Sequence, residues 1–288
     1  MRPEGLGPAS APRWIGAEAL PDCFGDLTRR PAGLWLLGDP GALDEAPRRH
    51  VAIVGTREAS PYGIRVAERL AEACARAGLV VVSGLARGID AAAHRAALGA
   101  GGLTVGVQGT GVDVPYPASH RTLHQALVRS GTVISEMEPG TSATPGCFPR
   151  RNRLIAALCQ VTVVVEAGFK SGAINTASQA LELGRTVAAV PGRIDEERSA
   201  GANLLIRDGA QVLTDVDDLL GLYGLSTSKG ASSRLSDRDT KELDSTDPSG
   251  NEPSFRQAAI SLLDLELTGE LRRSGAGYWA ASRPGGRE

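Results

Sequence analysis

The chain has 288 residues, a formal net charge of −2 and 42% hydrophobic residues, which is ordinary for a soluble globular protein with one sizeable domain and room for a small second one. The near-neutral charge excludes a bulk electrostatic attraction to nucleic acid, so an anion site must come from local placement of charge. The four cysteines form no Cys-x-x-Cys pair, which speaks against a disulfide framework or a zinc site.

Residues 1–45 are rich in proline and glycine and contain two short apolar pieces, around Trp14 and at LWLLG (34–38). The start has no apolar core, so it is not a signal peptide. No stretch of the chain approaches the length of a membrane span. We therefore interpret residues 1–45 as an N-terminal covering segment of a cytoplasmic protein that has no membrane contact.

Between residues 46 and 222, short apolar runs alternate with helical patterns. The runs are VAIVG (51–55), LVVVS (79–83), LTVGV (103–107), TVISE (132–136), VTVVVE (161–166) and TVAAVP (186–191). Residues 64–78 keep apolar side chains at helical spacing, and residues 119–128 and 175–184 repeat the arrangement. Strands that alternate with helices predict an α/β fold with a Rossmann-like, doubly wound, mostly parallel sheet.

The composition changes after residue 222. Residues 223–254 consist largely of Ser, Thr, Asp, Lys and Gly without apolar periodicity, which predicts a flexible linker. Residues 255–281 indicate a helix and two strands joined by a glycine turn, the second half of a winged helix and too short to fold alone. We interpret them as a degenerate winged-helix-like remnant, followed by a tail at 282–288.

Glycine-rich loops follow the predicted strands, where an open parallel sheet binds its ligands. They are GTREASPYG (55–63), GLARGID (84–90), GTGVDVPYP (109–117), EMEPGTSATPGCFPRRNR (136–153), AGFKSGAINTA (167–177) and PGRIDEERSAGAN (191–203). Such loops bring backbone N–H groups to one edge of the sheet, which suits an extended anion. The turn at 84–88 offers N–H groups to a phosphate, although it has neither the P-loop lysine nor the dinucleotide fingerprint.

The cations on this predicted edge of the sheet indicate which class of ligand it binds. Arg87 lies at the tip of the second loop, and Lys170 is the only lysine between residues 46 and 222. Between residues 139 and 165 there are three arginines and no acid: Arg150, Arg151 and Arg153. Each arginine alone is compatible with a solvated surface charge, whereas Arg87, Arg153 and Lys170 together indicate a phosphate-binding rim.

Signals for catalysis are weak. His120 and His124 have helical spacing, but a metal would need a third ligand, so we interpret them as a surface pair and expect no metal site. Asp90 suits the first turn of a helix. Phe148 and Phe169 flank the basic loops, where they either stack on bases or pack beneath the loops. Because no nucleophile elbow, kinase motifs or zinc-protease motif occurs, we do not expect an enzyme.

Seven motifs, in this order, resemble the DNA-processing protein A family (DprA/Smf). They are VAIVGTREASPYG, SGLARGIDAAAH, GTGVDVPYP, ISEMEPGT, FPRRNRLIAALC, KSGAINTA and AVPGRIDEERSAGANLLIRDGA. The resemblance implies a Rossmann-like core that binds single-stranded DNA in natural transformation and recombination, without a dinucleotide cofactor. It also implies a homodimer that helps to load a RecA-type recombinase and displaces single-strand-binding protein.

The resemblance further implies which residues line the DNA groove. They are Arg87, Gly88, Arg150, Asn152, Arg153, Lys170, Ser171 and Gly172. The chain departs from the family in its reduced N-terminal segment, its degenerate C-terminal domain and a polar residue, Asn175, at a usually apolar position.

Two enzymatic alternatives share the sheet and the glycine loops. One is a Rossmann-like nucleotide-processing enzyme of the phosphoribohydrolase type, although its PGGxGT-type loop is missing and PGRID (191–195) is the nearest approach. The other is an NAD-dependent oxidoreductase, which would need a third glycine and a downstream acidic residue.

Overall fold

The computed structural model describes residues 11–44, 50–144 and 146–227, together with short strands at 271–273 and 279–281. The chain divides into two compact units, residues 1–233 and 234–288. The first unit holds every described helix and one large sheet. None of its described helices is both long and apolar enough to cross a bilayer.

The large sheet has nine strands in the order β1-β2-β6-β5-β4-β3-β7-β8-β9. The strands are β1 (Arg13–Gly16), β2 (Gly33–Gly38), β3 (His50–Val54), β4 (Val80–Ser83), β5 (Thr104–Val107), β6 (Thr132–Ser135), β7 (Val161–Val164), β8 (Thr186–Ala189) and β9 (Gln211–Val212). Strands β3 to β9 pair with one another only in parallel, and β1 and β2 are antiparallel additions at one edge. The predicted α/β fold with a mostly parallel sheet is confirmed.

Helices cover both faces of this sheet. They are α1 (Gly41–Asp44), α2 (Pro61–Arg76), α3 (Ile89–Gly99), α4 (Arg121–Ser130), α5 (Cys147–Leu158), α6 (Gly172–Glu182), α7 (Glu197–Arg207) and α8 (Val216–Gly221). Alternate residues of β3 enter two different cores: Val51 and Ile53 pack with residues of α2 and α3, whereas Ala52 and Val54 pack with residues of α5 and α6. Burial on both faces explains why the central strands are continuous runs of valine and isoleucine.

The N-terminal segment both covers the domain and extends its sheet. Phe24, in a short 3₁₀ helix at Asp22–Asp26, is fully buried in the same core as Leu154 of α5. β2 pairs antiparallel with β6, where Leu36 lies opposite Ile134. The two added strands were not expected from such short apolar pieces.

Two helices occupy segments that the sequence analysis interpreted as loops. α5 contains the FPRRNR motif, and α7 begins in the PGRIDEERSAGAN segment. A glycine inside α7, Gly201, is an unfavourable helix residue, but a Cβ there would lie 2.7 Å from the carbonyl oxygen of Gly168. The glycine therefore permits α7 to pack directly on the loop after β7.

The prediction that His120 and His124 form a surface pair is wrong. Both side chains are buried, at 8% and 5% relative exposure. His120 Nδ1 lies 3.0 Å from the carbonyl oxygen of Leu85, and His124 Nε2 lies 2.7 Å from that of Val112. Each ring thus donates to a backbone acceptor and ties the region of α4 to a neighbouring loop.

In the second unit, β10 (Leu271–Arg273) and β11 (Trp279–Ala281) pair antiparallel, with Arg272 opposite Ala280. These are the two strands expected there from the sequence. The expected helix before them and most of the expected linker lie outside the described residues, so the winged-helix interpretation stays a prediction.

Candidate nucleic-acid interface

A cleft of about 660 Å³ opens beside the carboxyl ends of β3 and β7. β3 lies between β4 and β7 in the sheet. The chain winds from β3 to one side through β4, β5 and β6, and then returns to the other side with β7. Such a point, where the strand order reverses, is the usual ligand position in an open α/β sheet.

Three exposed cations line this cleft: Arg57 from the loop after β3, Arg87 from the turn before α3 and Lys170 from the loop after β7. None of them forms an ion pair with another residue in the described part of the chain. Unpaired cations from three separate loops outnumber the exposed acids of the same lining, Glu58 and Glu197, so the cleft has a net positive rim in a chain whose net charge is −2. This rim suits a ligand with several separated negative charges.

Arg57 is a site residue that the sequence analysis missed. Its guanidinium carbon lies 5.3 Å from the centroid of the Phe148 ring, in a cation–π contact. The Phe148 ring also contacts the ring of Tyr116, with centroids 4.9 Å apart. The signal that identified Arg87, an arginine in a glycine-rich loop after a predicted strand, was also present at Arg57.

The two phenylalanines considered for base stacking have different environments. Phe148 is half-buried and contacts both the Arg57 guanidinium and the Tyr116 ring. Phe169 lines the cleft and is 63% exposed. Packing beneath the loops therefore describes Phe148 in part, whereas the Phe169 side chain is mostly exposed to solvent.

The turn at 84–88 differs from a phosphate cradle. The side chain of Asp90, which is buried in the first turn of α3, accepts hydrogen bonds from the N–H groups of Gly84 and Ala86 through Oδ2, at 3.1 and 3.3 Å. Two of the N–H groups that we expected to meet a phosphate are therefore already bonded. Burial raises the pKa of Asp90, and the Arg151 charge opposes this rise.

Gly88 brings the same turn against the loop after β3. Its φ of 76° lies in the left-handed region, and a Cβ there would be 2.3 Å from the carbonyl oxygen of Thr56. The next N–H group, that of Ile89, donates to this oxygen at 3.3 Å. Gly88 thus permits the close approach of the Arg57 and Arg87 loops, and it is not among the residues that line the cleft.

The loop before α6 supplies both a cation and a helix N-terminus. The Ser171 side chain caps α6 by accepting from the N–H of Ala173 at 3.3 Å. Gly172 lines the cleft, and its N–H makes no hydrogen bond with a described residue. The partial positive charge of the helix start and the adjacent Lys170 both favour a bound anion.

Of the predicted α5 residues, only Asn152 lines the cleft. The Arg153 side chain is 12% exposed and donates from Nη2 to Glu136 Oε1 at 2.6 Å. Arg150 lies 3.7 Å from the other oxygen of Glu136, beside a smaller pocket of about 280 Å³. The structure therefore brings Arg87, Asn152, Lys170, Ser171 and Gly172 to the cleft and places Arg150 and Arg153 outside it.

Arg151 is a buried residue of the cleft lining and links several of its parts by hydrogen bonds. The side chain is buried and donates from Nη1 to the carbonyl oxygen of Gly84 at 2.8 Å and to that of Val107. Its Nε donates to Asn152 Oδ1 at 3.3 Å. Burial lowers the pKa of Arg151 to about 10, and the Asp90 carboxylate counteracts this shift, so the guanidinium stays charged at neutral pH. No group of three metal-ligating side chains occurs in the ranges that the structure describes.

The fold and the cleft define a Rossmann-like protein that carries a cation-lined cleft at the point where the strand order reverses. The family model for DNA recombination-mediator protein A matches residues 13–224. The chain belongs to this family, as its seven motifs predict.

Relatives and solved structures agree with this assignment. A putative DNA processing protein DprA from Mycobacterium tuberculosis is 48% identical over 209 residues, which cover 73% of this chain and 52% of the relative. The DNA processing protein DprA of Streptococcus pneumoniae is 42% identical, over 71% of this chain and 72% of the relative. The chain thus spans about half the length of the mycobacterial relative that it matches.

The X-ray structure of DprA from S. pneumoniae superposes with a TM-score of 0.69 at 37% identity, covering 73% of each chain. The structure of DNA processing protein A from Helicobacter pylori, described for its single-stranded DNA binding mode, gives a TM-score of 0.67 at 31% identity. It covers 73% of this chain and 95% of the other.

Proposed function

We propose that this chain binds single-stranded DNA in the cleft beside β3 and β7. The observation that carries the proposal is the convergence of three unpaired cations, Arg57, Arg87 and Lys170, from three loops onto one cleft. Single-stranded DNA carries one negative charge on each nucleotide, so successive phosphates can meet cations that are spread over several loops. The related H. pylori protein, described for its single-stranded DNA binding mode, supports this choice of ligand.

A preference for single strands over duplexes follows from the aromatic residues at the cleft. Phe169 is 63% exposed, and the Arg57–Phe148 pair lies on the same lining. Unpaired bases can stack on such rings, whereas the bases of a duplex are already stacked within it. Phosphate contacts alone would give no such preference.

We further propose that the DNA-bound chain acts as a recombination mediator and not as an enzyme. In this role it loads a RecA-type recombinase onto the strand, displaces single-strand-binding protein and works as a homodimer in the cytoplasm, during recombination and natural transformation. Family membership supports these steps, and the cleft supplies the DNA contact on which each of them depends.

Fluorescence anisotropy of a labelled single-stranded oligonucleotide, compared with a duplex of equal length, tests the DNA contact. The wild-type chain should bind the single strand more tightly, and the Arg87→Ala/Lys170→Ala variant should lose roughly 10- to 100-fold in affinity. Arg129→Ala is the matched control, because Arg129 is exposed at the end of α4 directly before β6. It therefore lies at the opposite edge of the sheet and should leave the affinity unchanged.

Absence of binding to either form of DNA by a well-folded wild-type chain would reject the proposal. Thermal stabilisation by nucleoside phosphates or by NAD, or turnover of nucleoside monophosphates, would then favour a nucleotide-processing enzyme or an oxidoreductase. If DNA binding holds, recombinase filament formation on an oligonucleotide coated with single-strand-binding protein tests the mediator role, with Arg87→Ala/Lys170→Ala as the defective control.

A further inference from the structure

A chain of hydrogen bonds leads from the buried Arg151 to the surface of the cleft. Arg151 Nε donates to Asn152 Oδ1 at 3.3 Å. Asn152 Nδ2 donates to the carbonyl oxygen of Gly172 at 3.3 Å and to Asn175 Oδ1 at 3.2 Å. Asn152 is buried, whereas Asn175 is exposed and lines the cleft.

The direction of every bond in this chain is fixed by chemistry. A guanidinium has donors only, so the Asn152 atom that faces it must be the amide oxygen. A backbone carbonyl has acceptors only, so the Asn152 atom that faces Gly172 must be the amide nitrogen. The same nitrogen faces Asn175, and the side chain of Asn175 must therefore present its oxygen to Asn152.

The hydrogen bond from Asn152 uses the amide oxygen of Asn175 and leaves its amide nitrogen unused. This nitrogen makes no hydrogen bond with a residue in the described part of the chain, although the Asn175 side chain borders the cleft. Its two N–H donors thus belong to a side chain of the lining that also holds Lys170 and the start of α6. Without the bonds from Arg151 and Asn152, the Asn175 amide could turn over and offer an acceptor instead.

We infer that Asn175 is a further DNA-contacting residue, which donates from Nδ2 to an acceptor oxygen of the bound strand, and that Asn152 and Arg151 are positioning residues that fix the polarity of this contact. The inference rests on the proposed binding of single-stranded DNA. It assigns Asn152 an indirect role: Asn152 orients the donor of Asn175 and does not itself touch the strand.

Two single variants and their combination test the contact and the polarity separately. Asn175→Leu keeps the size of the side chain and removes the donor, so the affinity for a single strand should fall about fivefold, the loss expected for one net hydrogen bond. Asn152→Asp reverses the polarity, because a carboxylate accepts from Arg151 and also from the Asn175 nitrogen, which then turns away from the cleft. In the Asn152→Asp background, Asn175→Leu should therefore cost nothing further.

The outcomes separate this inference from the proposed function. If the wild-type chain does not bind the strand, the proposed function fails. If it binds and Arg87→Ala/Lys170→Ala weakens binding while Asn175→Leu does not, only the contact is overturned. If Asn175→Leu costs the same with Asn152 intact and with Asn152→Asp, the positioning role is overturned.

A spectroscopic measurement tests the Asn175 contact without the Asn152→Asp variant. The chain has four asparagines, at 152, 175, 203 and 251, so selective ¹⁵N-asparagine labelling gives few side-chain amide signals. The pair that is missing in Asn175→Leu should shift when the unlabelled strand is added, and the Asn203 pair should not. An unshifted Asn175 pair at saturation would overturn the contact.

An abasic strand of equal length identifies the acceptor. A loss in Asn175→Leu that persists on the abasic strand supports a phosphate oxygen as acceptor. A loss that appears only on the normal strand supports a carbonyl oxygen of a base.

Discussion

At the scale of single residues, Gly88 carries two constraints that can be measured separately. Its left-handed φ of 76° favours glycine. Independently, the carbonyl oxygen of Thr56 occupies the space of a side chain, 2.3 Å from the position of a Cβ. The second constraint arises because the Arg87 turn lies directly against the Arg57 loop.

We expect Gly88→Ala to lower the free energy of unfolding by at least about 2 kcal/mol more than Gly140→Ala. Gly140 is the matched control, because its φ of 81° is nearly the same and nothing lies within 4 Å of its Cβ position. Urea denaturation of both variants gives the difference directly. Equal losses would mean that only backbone strain matters and that the approach to Thr56 is not tight.

The sequence identified some cleft residues because they share a local signal. Arg87 and Lys170 are charged residues in glycine loops after predicted strands, and Arg57 obeys the same rule although it was overlooked. Arg153 looks equivalent in the sequence, but its partner Glu136 is 17 residues away and meets it only in the fold. Which cations are neutralised by ion pairs therefore could not be predicted from spacing.

At the scale of elements, α5 shows why a helix was mistaken for a loop. Its first turn contains Pro149. The residue directly before the helix, Gly146, has no side chain that could cap the helix N-terminus. Proline is tolerated there because the first N–H groups of a helix have no partner within the helix. Burial of Leu154 and Ile155 in the core stabilises a helix that has weak local signals.

We expect Arg153→Ala to destabilise the fold while leaving DNA affinity within about twofold. Arg153 and Glu136 are each 12% exposed, and removal of one partner leaves a mostly buried charge, at a cost of about 2–4 kcal/mol. Denaturant unfolding measures the loss, and anisotropy at a temperature where the variant is folded measures the affinity. A large loss of affinity with unchanged stability would place Arg153 in the DNA site, as the family resemblance had implied.

α3 is attached to the sheet by a histidine that must stay neutral. His94 is fully buried, and its Nδ1 lies 2.7 Å from Thr104 Oγ1. That hydroxyl already donates to the carbonyl oxygen of Val81, so it accepts from His94. Burial lowers the pKa of His94 to about 3.

The free energy of unfolding should therefore fall as the pH is lowered below about 6.5, where the unfolded chain binds a proton on His94 and the folded chain does not. Between pH 7 and pH 5 this histidine accounts for a loss of about 2 kcal/mol. His124 acts in the same direction, and Asp90, whose pKa is raised, acts in the opposite one.

Comparison with His94→Asn isolates the contribution of His94, because an asparagine amide still donates to Thr104 but does not titrate. The variant should show a loss between pH 7 and pH 5 that is smaller by about the same 2 kcal/mol. Parallel curves of stability against pH for the two proteins would contradict a neutral, buried His94.

At the scale of the whole molecule, the parallel part of the sheet was predictable and its antiparallel edge was not. Runs such as VVVS in β4 and VTVV in β7 are buried along their whole length, so composition alone marks them as central strands. β1 is exposed or half-buried throughout, and its place depends on pairing with β2, for which short sequences give no signal. The cleft followed from the winding of the sheet, because ligands gather where the strand order reverses.

The chain has a net charge of −2. The salt dependence of DNA binding therefore tests whether all exposed cations attract the strand or only those of the cleft. If attraction were a property of the overall charge, every exposed arginine would contribute equally. If it comes from the cleft, only Arg57, Arg87 and Lys170 displace counterions from the strand. With three phosphate contacts, the logarithm of the binding constant should fall with the logarithm of the salt concentration at a slope of about −2.

Lys170→Ala should flatten this slope by about 0.7, because one phosphate contact is lost, and Arg129→Ala should leave it at about −2. Anisotropy titrations of a labelled single strand at four or more salt concentrations give both slopes. Equal flattening by Lys170→Ala and Arg129→Ala would show that binding is diffuse and not confined to the cleft. A steeper wild-type slope, with the control unchanged, would mean that cations beyond these three reach the strand, and Arg150 would be the next residue to substitute because its side chain is 57% exposed.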